Sequence, residues 1–264
     1  MNREERLIRE NIIAKCRWMN ASGLNQGTSG NISARYKDRM LITPSATPYD
    51  SMKPEMIASM PLEGEYGSWD GPLKPSTEWR FHLDIMRGRP DVGGVVHTHS
   101  TYATVLAIAR KSIPACHYMM AAFGGMDIRC AGYARFGTAE LSELALEALE
   151  GRNGCLLANH GMIAVGANLD KAMWLAVELE TIAKQYYLSL ALGQPHILGD
   201  AEIAETAQGF STYGLQDPKT QTKAKSNAKS AKPAKKVAKT PAKATRTRAA
   251  AAGRKLETKH SSKR

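Results

Sequence analysis

The sequence predicts an α/β fold: a three-layer α/β/α sandwich on a mixed, largely antiparallel sheet. Residues 1–216 carry it, and a disordered basic tail follows over 217–264. Three observations predict this arrangement. Short apolar runs alternate with longer amphipathic segments, as strands alternate with helices in a layered fold. Neighbouring runs within 154–166 are too close together to enclose a crossover helix, which makes some adjacent strands antiparallel. The composition changes abruptly at Asp217: residues 217–264 hold 16 Lys and Arg against 2 Asp and Glu, a net of +14, whereas residues 1–216 hold 20 against 23, a net of −3.

The net charge of +11 therefore belongs to the tail and says nothing about the chemistry of the folded part. With 264 residues and 43% apolar content, the chain supports one domain with a substantial core. No apolar run reaches the 18 residues or so of a membrane span. Met1 to Arg6 lacks the apolar stretch of a secretory signal. Cys16, Cys116, Cys130 and Cys155 have no C-x-x-C spacing and suit reduced thiols. A cytoplasmic protein is expected.

Residues 3–22 place Leu7, Ile8, Ile12, Cys16 and Met19 close to helical spacing, with Gly23 as the stop. Gly27-Thr28-Ser29-Gly30-Asn31 then leads into a strand at Ile32–Tyr36. Backbone N–H groups bared by glycine and flanked by hydroxyls form either a plain turn or a nest for an anion. Met40–Thr43 is a second strand, and Glu55–Leu62 reads as a third. Pro75-Ser76-Thr77-Glu78 reads as a helix start, with hydroxyls at the cap and an acid in the first turn. The helix runs on to Gly88, and His82 lies on one of its faces. Further helices are expected at 101–110, at 138–150 with Thr138 as cap, at 170–192 and at 200–212.

The chemistry centres on Val95-Val96-His97-Thr98-His99. A short apolar run marks a buried strand, and residues two apart on a strand share a face, so His97 and His99 present paired imidazoles. They are either core histidines or ligands of one divalent ion, for which zinc is the default. Cys155-Leu156-Leu157-Ala158 ends in Asn159-His160-Gly161 and offers a third imidazole at a strand end. Glu78 offers a carboxylate, although its residue type is equally explained by the helix N-terminus. Three histidines with an open position and an acid nearby match a catalytic zinc site more closely than a structural one.

Five ordered motifs carry a resemblance: Leu24–Asn31, Thr43-Pro44-Ser45, Pro75–Arg80, His97-Thr98-His99 and His160-Gly161. Together they resemble the class II aldolase/adducin family, in particular its bacterial L-fuculose-1-phosphate aldolases, over residues 1 to about 216. The resemblance implies reversible cleavage of a ketose 1-phosphate to dihydroxyacetone phosphate and an aldehyde. It implies Zn²⁺ on His97, His99 and His160, with Glu78 a ligand at rest and a general base during reaction. It further implies a phosphate site from Gly30, Asn31, Ser45, Ala46, Ser76 and Thr77, where Ala46 stands in place of the family's glycine. Tyr118 is implied at a neighbouring subunit's site in a homotetramer, with Tyr213 helping to close the site. His117 is a weaker ligand candidate, since no metal role attaches to it in the family.

The same family leaves two alternatives: a sugar-phosphate epimerase or dehydratase on the same metal, and a non-catalytic adducin-like binding module. Beyond Asp217 the Lys/Ala/Pro-rich composition cannot bury enough apolar surface to fold. Its repeats resemble histone H1-type tails and suggest a nucleic acid or another polyanion as partner, the plain alternative being a solubilising segment.

Overall fold

The computed structural model describes residues 1–210, in which six helices and eight strands form one sheet between two helical layers. The first helix, α1 (Arg3–Ala21), starts where the Asn2 side chain accepts a hydrogen bond from the Glu5 N–H at 2.9 Å. It buries Ile12, Ile13, Cys16 and Met19. The strands are β1 (Asn31–Tyr36), β2 (Arg39–Ile42), β3 (Ala58–Pro61), β4 (Gly94–Thr98), β5 (Ile113–Pro114), β6 (Asp127–Ala131), β7 (Gly154–Leu157) and β8 (Gly161–Gly166). The remaining helices of the described residues are α2 (Trp79–Gly88), α3 (Thr101–Ile108), α4 (Ala139–Ala148), α5 (Leu169–Leu190) and α6 (Asp200–Phe210). The spatial order is β3-β2-β1-β4-β8-β7-β6-β5. Among the described residues only β6 and β7 pair in parallel, and every other strand pair is antiparallel.

The period of two along the strands builds the layers. Ile32, Leu41, Val96, Leu156, Met162 and Ala164 face one side, where α1, α3, α5 and α6 pack. Met40, Ile42, Val95, Cys155, Leu157, Ile163 and Val165 face the other, covered by α2 and α4. Because Ile32, Ala34 and Tyr36 take the first side, Asn31 and Ser33 point from β1 toward the α2 layer.

Several sequence expectations are corrected. Residues 55–62 are not one strand: Pro54–Met56 forms a single 3₁₀ turn, with Pro54 in its first position, and β3 begins only at Ala58. The helix expected over 101–110 ends at Ile108, where Arg110 takes a left-handed φ of 52°. β5, β6 and the 3₁₀ segment Tyr118–Phe123 had no counterpart in the sequence reading. Helix α4 does start on Thr138, whose hydroxyl accepts from the Leu141 N–H. Tyr213 and the tail from 217 to 264 lie outside the described residues.

Gly94 and Gly166 face each other across β4 and β8 and together seat the start of α5. A Cβ on Gly94 would stand 2.6 Å from the Leu169 Cα and 2.7 Å from its nitrogen, both backbone atoms of the helix. Gly94→Ala is therefore expected to destabilise the protein by about 3 kcal/mol, the upper end for overpacking. The urea midpoint should fall with an unchanged m-value. A loss below about 1 kcal/mol would mean that α5 can shift at little cost.

Candidate metal centre

His97 is the residue before last of β4, fully buried between β1 and β8. Its Nδ1–H donates to the Met162 carbonyl of β8 at 2.9 Å, which leaves the Nε2 lone pair free for a ligand. His99 lies just beyond the strand end on the same face, with its Nε2 3.1 Å from that of His97. His160 comes from the short link between β7 and β8. The preceding Asn159 takes a left-handed φ of 55°, a conformation asparagine tolerates, and the Ala107 carbonyl and Arg110 side chain hold it there. Gly161 is required behind the imidazoles, since a Cβ there would meet the Thr98 carbonyl at 2.5 Å and the His99 ring at 2.9 Å. The three rings sit 4.9–5.0 Å apart at 70–77° to one another.

Glu78 completes the cluster, but from a different position than expected. It is the N-cap residue of α2 rather than a first-turn acid, and its side chain makes no cap hydrogen bond. The Ser76 hydroxyl accepts from the Glu78 N–H instead, and the carboxylate turns inward. Oε1 lies 3.1 Å from His160 Nε2, and Oε2 lies 3.3 Å from His97 Nε2. Oε2 also accepts from the Asn31 amide at 2.8 Å.

A divalent ion fits these residues. One ligand atom from each of Glu78, His97, His99 and His160 lies within 4.8 Å of all the others. Glu78 Oε1 is buried without hydrogen-bond geometry to any donor, and two imidazole nitrogens face each other at 3.1 Å. An electropositive centre relieves both features. Burial opposes ionisation of Glu78, but the His97 and His160 rings that converge on it outweigh that penalty and hold the carboxyl below the usual range. Burial, with His97 and His160 nearby, pushes His99 down to about 4, so it is neutral and ready to ligate at pH 7.

The cluster opens on a pocket lined by Thr28, Ser29, Ser45, Ala46, Thr77, Glu78, His99, Tyr133, Ala134, Phe136, Asn159 and His160. Of the six residues expected at a phosphate, Ser45, Ala46 and Thr77 line it, whereas Gly30, Asn31 and Ser76 are not among its lining residues. Ala46 does adopt the left-handed conformation, φ 49°, that the family's glycine would take without strain. A Cβ on Gly30 would meet the Asn25 side chain at 2.7 Å and the His97 carbonyl at 2.8 Å. Asn31 spends its side chain on Glu78 and His82. Tyr118 does not line this pocket; it is half exposed at the head of the 3₁₀ segment. His117 accepts from the Met119 N–H and stays outside the cluster. Thr28 and Ser29 belong to the loop read from the sequence as a turn or an anion nest, whereas Tyr133 and Phe136 have no counterpart in the sequence reading. The two aromatics fall in the loop after β6, a strand the sequence pattern did not reveal.

A carboxylate and three imidazoles at the mouth of a pocket, on an α/β/α sandwich, define a class of metal-dependent enzyme. Residues 10–187 match the model of the class II aldolase and adducin N-terminal domain. The 5-methylthioribulose-1-phosphate/5-deoxyribulose-1-phosphate aldolase of Rhodospirillum rubrum is 51% identical over 207 residues, 78% of this chain and 92% of that one. The L-fuculose phosphate aldolase of Escherichia coli is 47% identical over 214 residues, 81% of this chain and 98% of that one. A solved structure of L-fuculose 1-phosphate aldolase matches with a TM-score of 0.74 at 39% identity, covering 77% of this chain and 96% of that one. The chain belongs to the class II aldolase and adducin family, and within it is an aldolase, a carbon–carbon lyase. That sets aside the non-catalytic module. No helix among the described residues is long and apolar enough to cross a membrane.

One buried and one half-buried imidazole near the centre make the fold acid-sensitive. Burial and the neighbouring His97 push His82 down to about 3, and His99 is pushed down to about 4, both from 6.5. As pH falls below 6.5 the unfolded chain takes up protons that these two native imidazoles refuse, so their contribution to stability drops through that window and levels off only near pH 3–4. Urea midpoints of the metal-free protein should fall steadily from pH 6.5 to 4. A flat profile over that range would contradict the assignment.

Proposed function

We propose that this enzyme reversibly cleaves a ketose 1-phosphate to dihydroxyacetone phosphate and an aldehyde, using Zn²⁺ held by His97, His99 and His160. The observation that carries the proposal is the Glu78/His97/His99/His160 cluster beside a pocket whose lining includes the hydroxyl residues Thr28, Ser29, Ser45 and Thr77. Imidazole nitrogens favour zinc among the common divalent ions. When bound, such an ion supplies Lewis-acid stabilisation of the negative charge that develops on the ketose oxygens as the carbon–carbon bond breaks.

The chain's own groups do the rest. Glu78 moves the proton: in condensation Oε1 takes it from the carbon next to the carbonyl of dihydroxyacetone phosphate, and in cleavage it returns it. Thr28, Ser29, Ser45 and Thr77 offer hydroxyls to the phosphate, supported by Gly30 and Asn31 at the start of β1, by Ala46 and by Ser76, so that binding far from the reacting carbons fixes their position. Tyr133, Ala134 and Phe136 form an apolar wall. It favours a ketose whose end remote from the phosphate is a methyl or methylthio group, in keeping with the 5-deoxy and 5-methylthio sugars in the name of the R. rubrum relative. Tyr118, exposed and away from its own pocket, completes the site of a neighbouring copy in a homotetramer, where its phenol stabilises the aldehyde-derived oxygen. Tyr213 helps to close that site. The four cysteines are free and two are buried, which suits a reducing cytoplasm. An aldehyde screen with dihydroxyacetone phosphate as donor tests the reading: acetaldehyde, lactaldehyde and methylthioacetaldehyde should outperform glyceraldehyde in kcat/KM. The opposite order would overturn the apolar preference, and no condensation with any of them would overturn the reaction.

The tail has a separate role in this proposal. The two relatives are matched over 92% and 98% of their own lengths but leave about a fifth of this chain unmatched, a share close to that of residues 217–264. Its +14 charge binds a polyanion, nucleic acid above all, through phosphate contacts without sequence preference.

Chelation should abolish activity and Zn²⁺ should restore it; unchanged turnover in metal-free protein would refute the mechanism. Glu78→Gln should keep substrate binding and metal content while kcat falls by roughly two to four orders of magnitude. Loss of metal in place of turnover would make Glu78 a ligand first. A chain ending at Gln216 should keep its kcat/KM and lose DNA binding, while the full chain binds with a salt slope of about −0.9 per phosphate neutralised. Equal binding by both chains would refute the role of the tail.

A further inference from the structure

His82 is fully buried, takes no part in the metal cluster and does not line the pocket. It nevertheless touches the site through one intermediary. Its Nε2 lies 2.5 Å from Asn31 Oδ1, and its Nδ1 lies 2.7 Å from the Ser33 hydroxyl. Asn31 Nδ2 in turn donates to Glu78 Oε2 at 2.8 Å. All four side chains are at least nine-tenths buried, so bulk water does not substitute for any link. The spacing is what two regular elements provide: Asn31 and Ser33 are two apart on one face of β1, and Glu78 and His82 are one turn apart at the start of α2.

The hydrogens in this chain follow by elimination. An ionised carboxylate only accepts, so Asn31 must give it an N–H and turn its oxygen toward His82. That oxygen only accepts, so His82 carries a proton on Nε2, and complete burial keeps the ring from taking a second one on Nδ1. Its Nδ1 is then an acceptor and takes the hydroxyl hydrogen of Ser33. The depressed basicity of the buried imidazole agrees with the neutral form.

We propose that Ser33, His82 and Asn31 form a one-directional hydrogen-bond relay that pins Glu78 Oε2 and leaves Oε1 as the oxygen that exchanges the proton. This rests on the reading of Glu78 as the proton-transferring group. His82 is a positioning residue: it fixes the amide orientation of Asn31, and Asn31 fixes the carboxylate. Without the Nε2–H the Asn31 oxygen is left buried with no donor, and the side chain that pins Glu78 Oε2 loses the contact that holds it in place.

Two side chains separate the relay from bulk packing. In His82→Gln the amide nitrogen stands near the former Nε2 and can still donate to Asn31, whereas in His82→Asn the amide reaches only the Ser33 side. The His82→Asn protein should lose ten- to a hundredfold in kcat, the usual scale for losing an orienting partner, at unchanged KM and metal content. His82→Gln should recover kcat to within about fivefold of the unaltered enzyme. Independently of activity, the ¹⁵N chemical shifts of His82 in the metal-free protein at pH 7 should show a neutral ring protonated on Nε2. A ring protonated on Nδ1 or on both nitrogens overturns the relay, as does equal kcat in the two variants. If either variant fails to fold, the ¹⁵N measurement on the unaltered chain decides alone. Full activity in Glu78→Gln with an Nε2-protonated His82 would instead refute the reading of Glu78 and leave the hydrogen-bond chain standing.

Discussion

The structure turns on a carboxylate that is almost wholly withdrawn from water. Glu78 is 5% exposed, and burial alone would drive it toward its neutral form. It stays ionised because His97, His160 and Asn31 converge on it, and these three come from β4, from the β7–β8 link and from β1. Removing one partner from such a group typically costs about 3–5 kcal/mol, since the remaining charge stays buried and uncompensated. The site is therefore assembled in advance and cannot form piecemeal. The bare nitrogens of His97 and His99, facing each other at 3.1 Å, make the same demand for a cation at the centre.

The fold meets this demand through strand order and parity. β1, β4 and β8 are adjacent in the middle of the sheet, so residues distant in sequence become neighbours without any long loop. Asn31 pairs with His97 and His97 with Ile163, and the parity of each strand aims the polar side chains of β1 and β4 toward α2. Along β4 the same face passes from Val95 in the apolar core to His97 in the site. Packing that orders the core thus also fixes the imidazoles. Gly161 shows how tight this is, since a single methyl group there would press on the Thr98 carbonyl and the His99 ring.

How much of this the sequence revealed depends on the range of each signal. His97 and His99 were legible because a strand of period two needs only five residues to announce itself, and His160 because it ends another apolar run. Glu78 was legible as an acid at a helix start, but its exact place was not, since the choice between capping the helix and serving the cluster is made by His97 and His160, not by its neighbours in the chain. β6 carries one β-branched residue, Ile128, among Asp127, Arg129, Cys130 and Ala131, so it escaped notice, and with it the loop of Tyr133 and Phe136. His82 read as an ordinary helix-face histidine because its partners Asn31 and Ser33 lie about fifty residues earlier. Gly30, Asn31 and Ser76 are not in the pocket lining, and for Asn31 the reason is related: its side chain is engaged by Glu78 and His82, from a helix that its own motif does not mention.

The central claim is that Glu78 moves the proton on the carbon beside the carbonyl while the metal stays on the histidines. Solvent exchange tests it without any aldehyde present. Dihydroxyacetone phosphate in D₂O should lose one of its two hydroxymethyl hydrogens stereospecifically with the zinc-loaded enzyme, as followed by ¹H NMR. Zinc-loaded Glu78→Gln should bind the same compound and leave both hydrogens in place. Exchange at an undiminished rate in that variant would contradict the account.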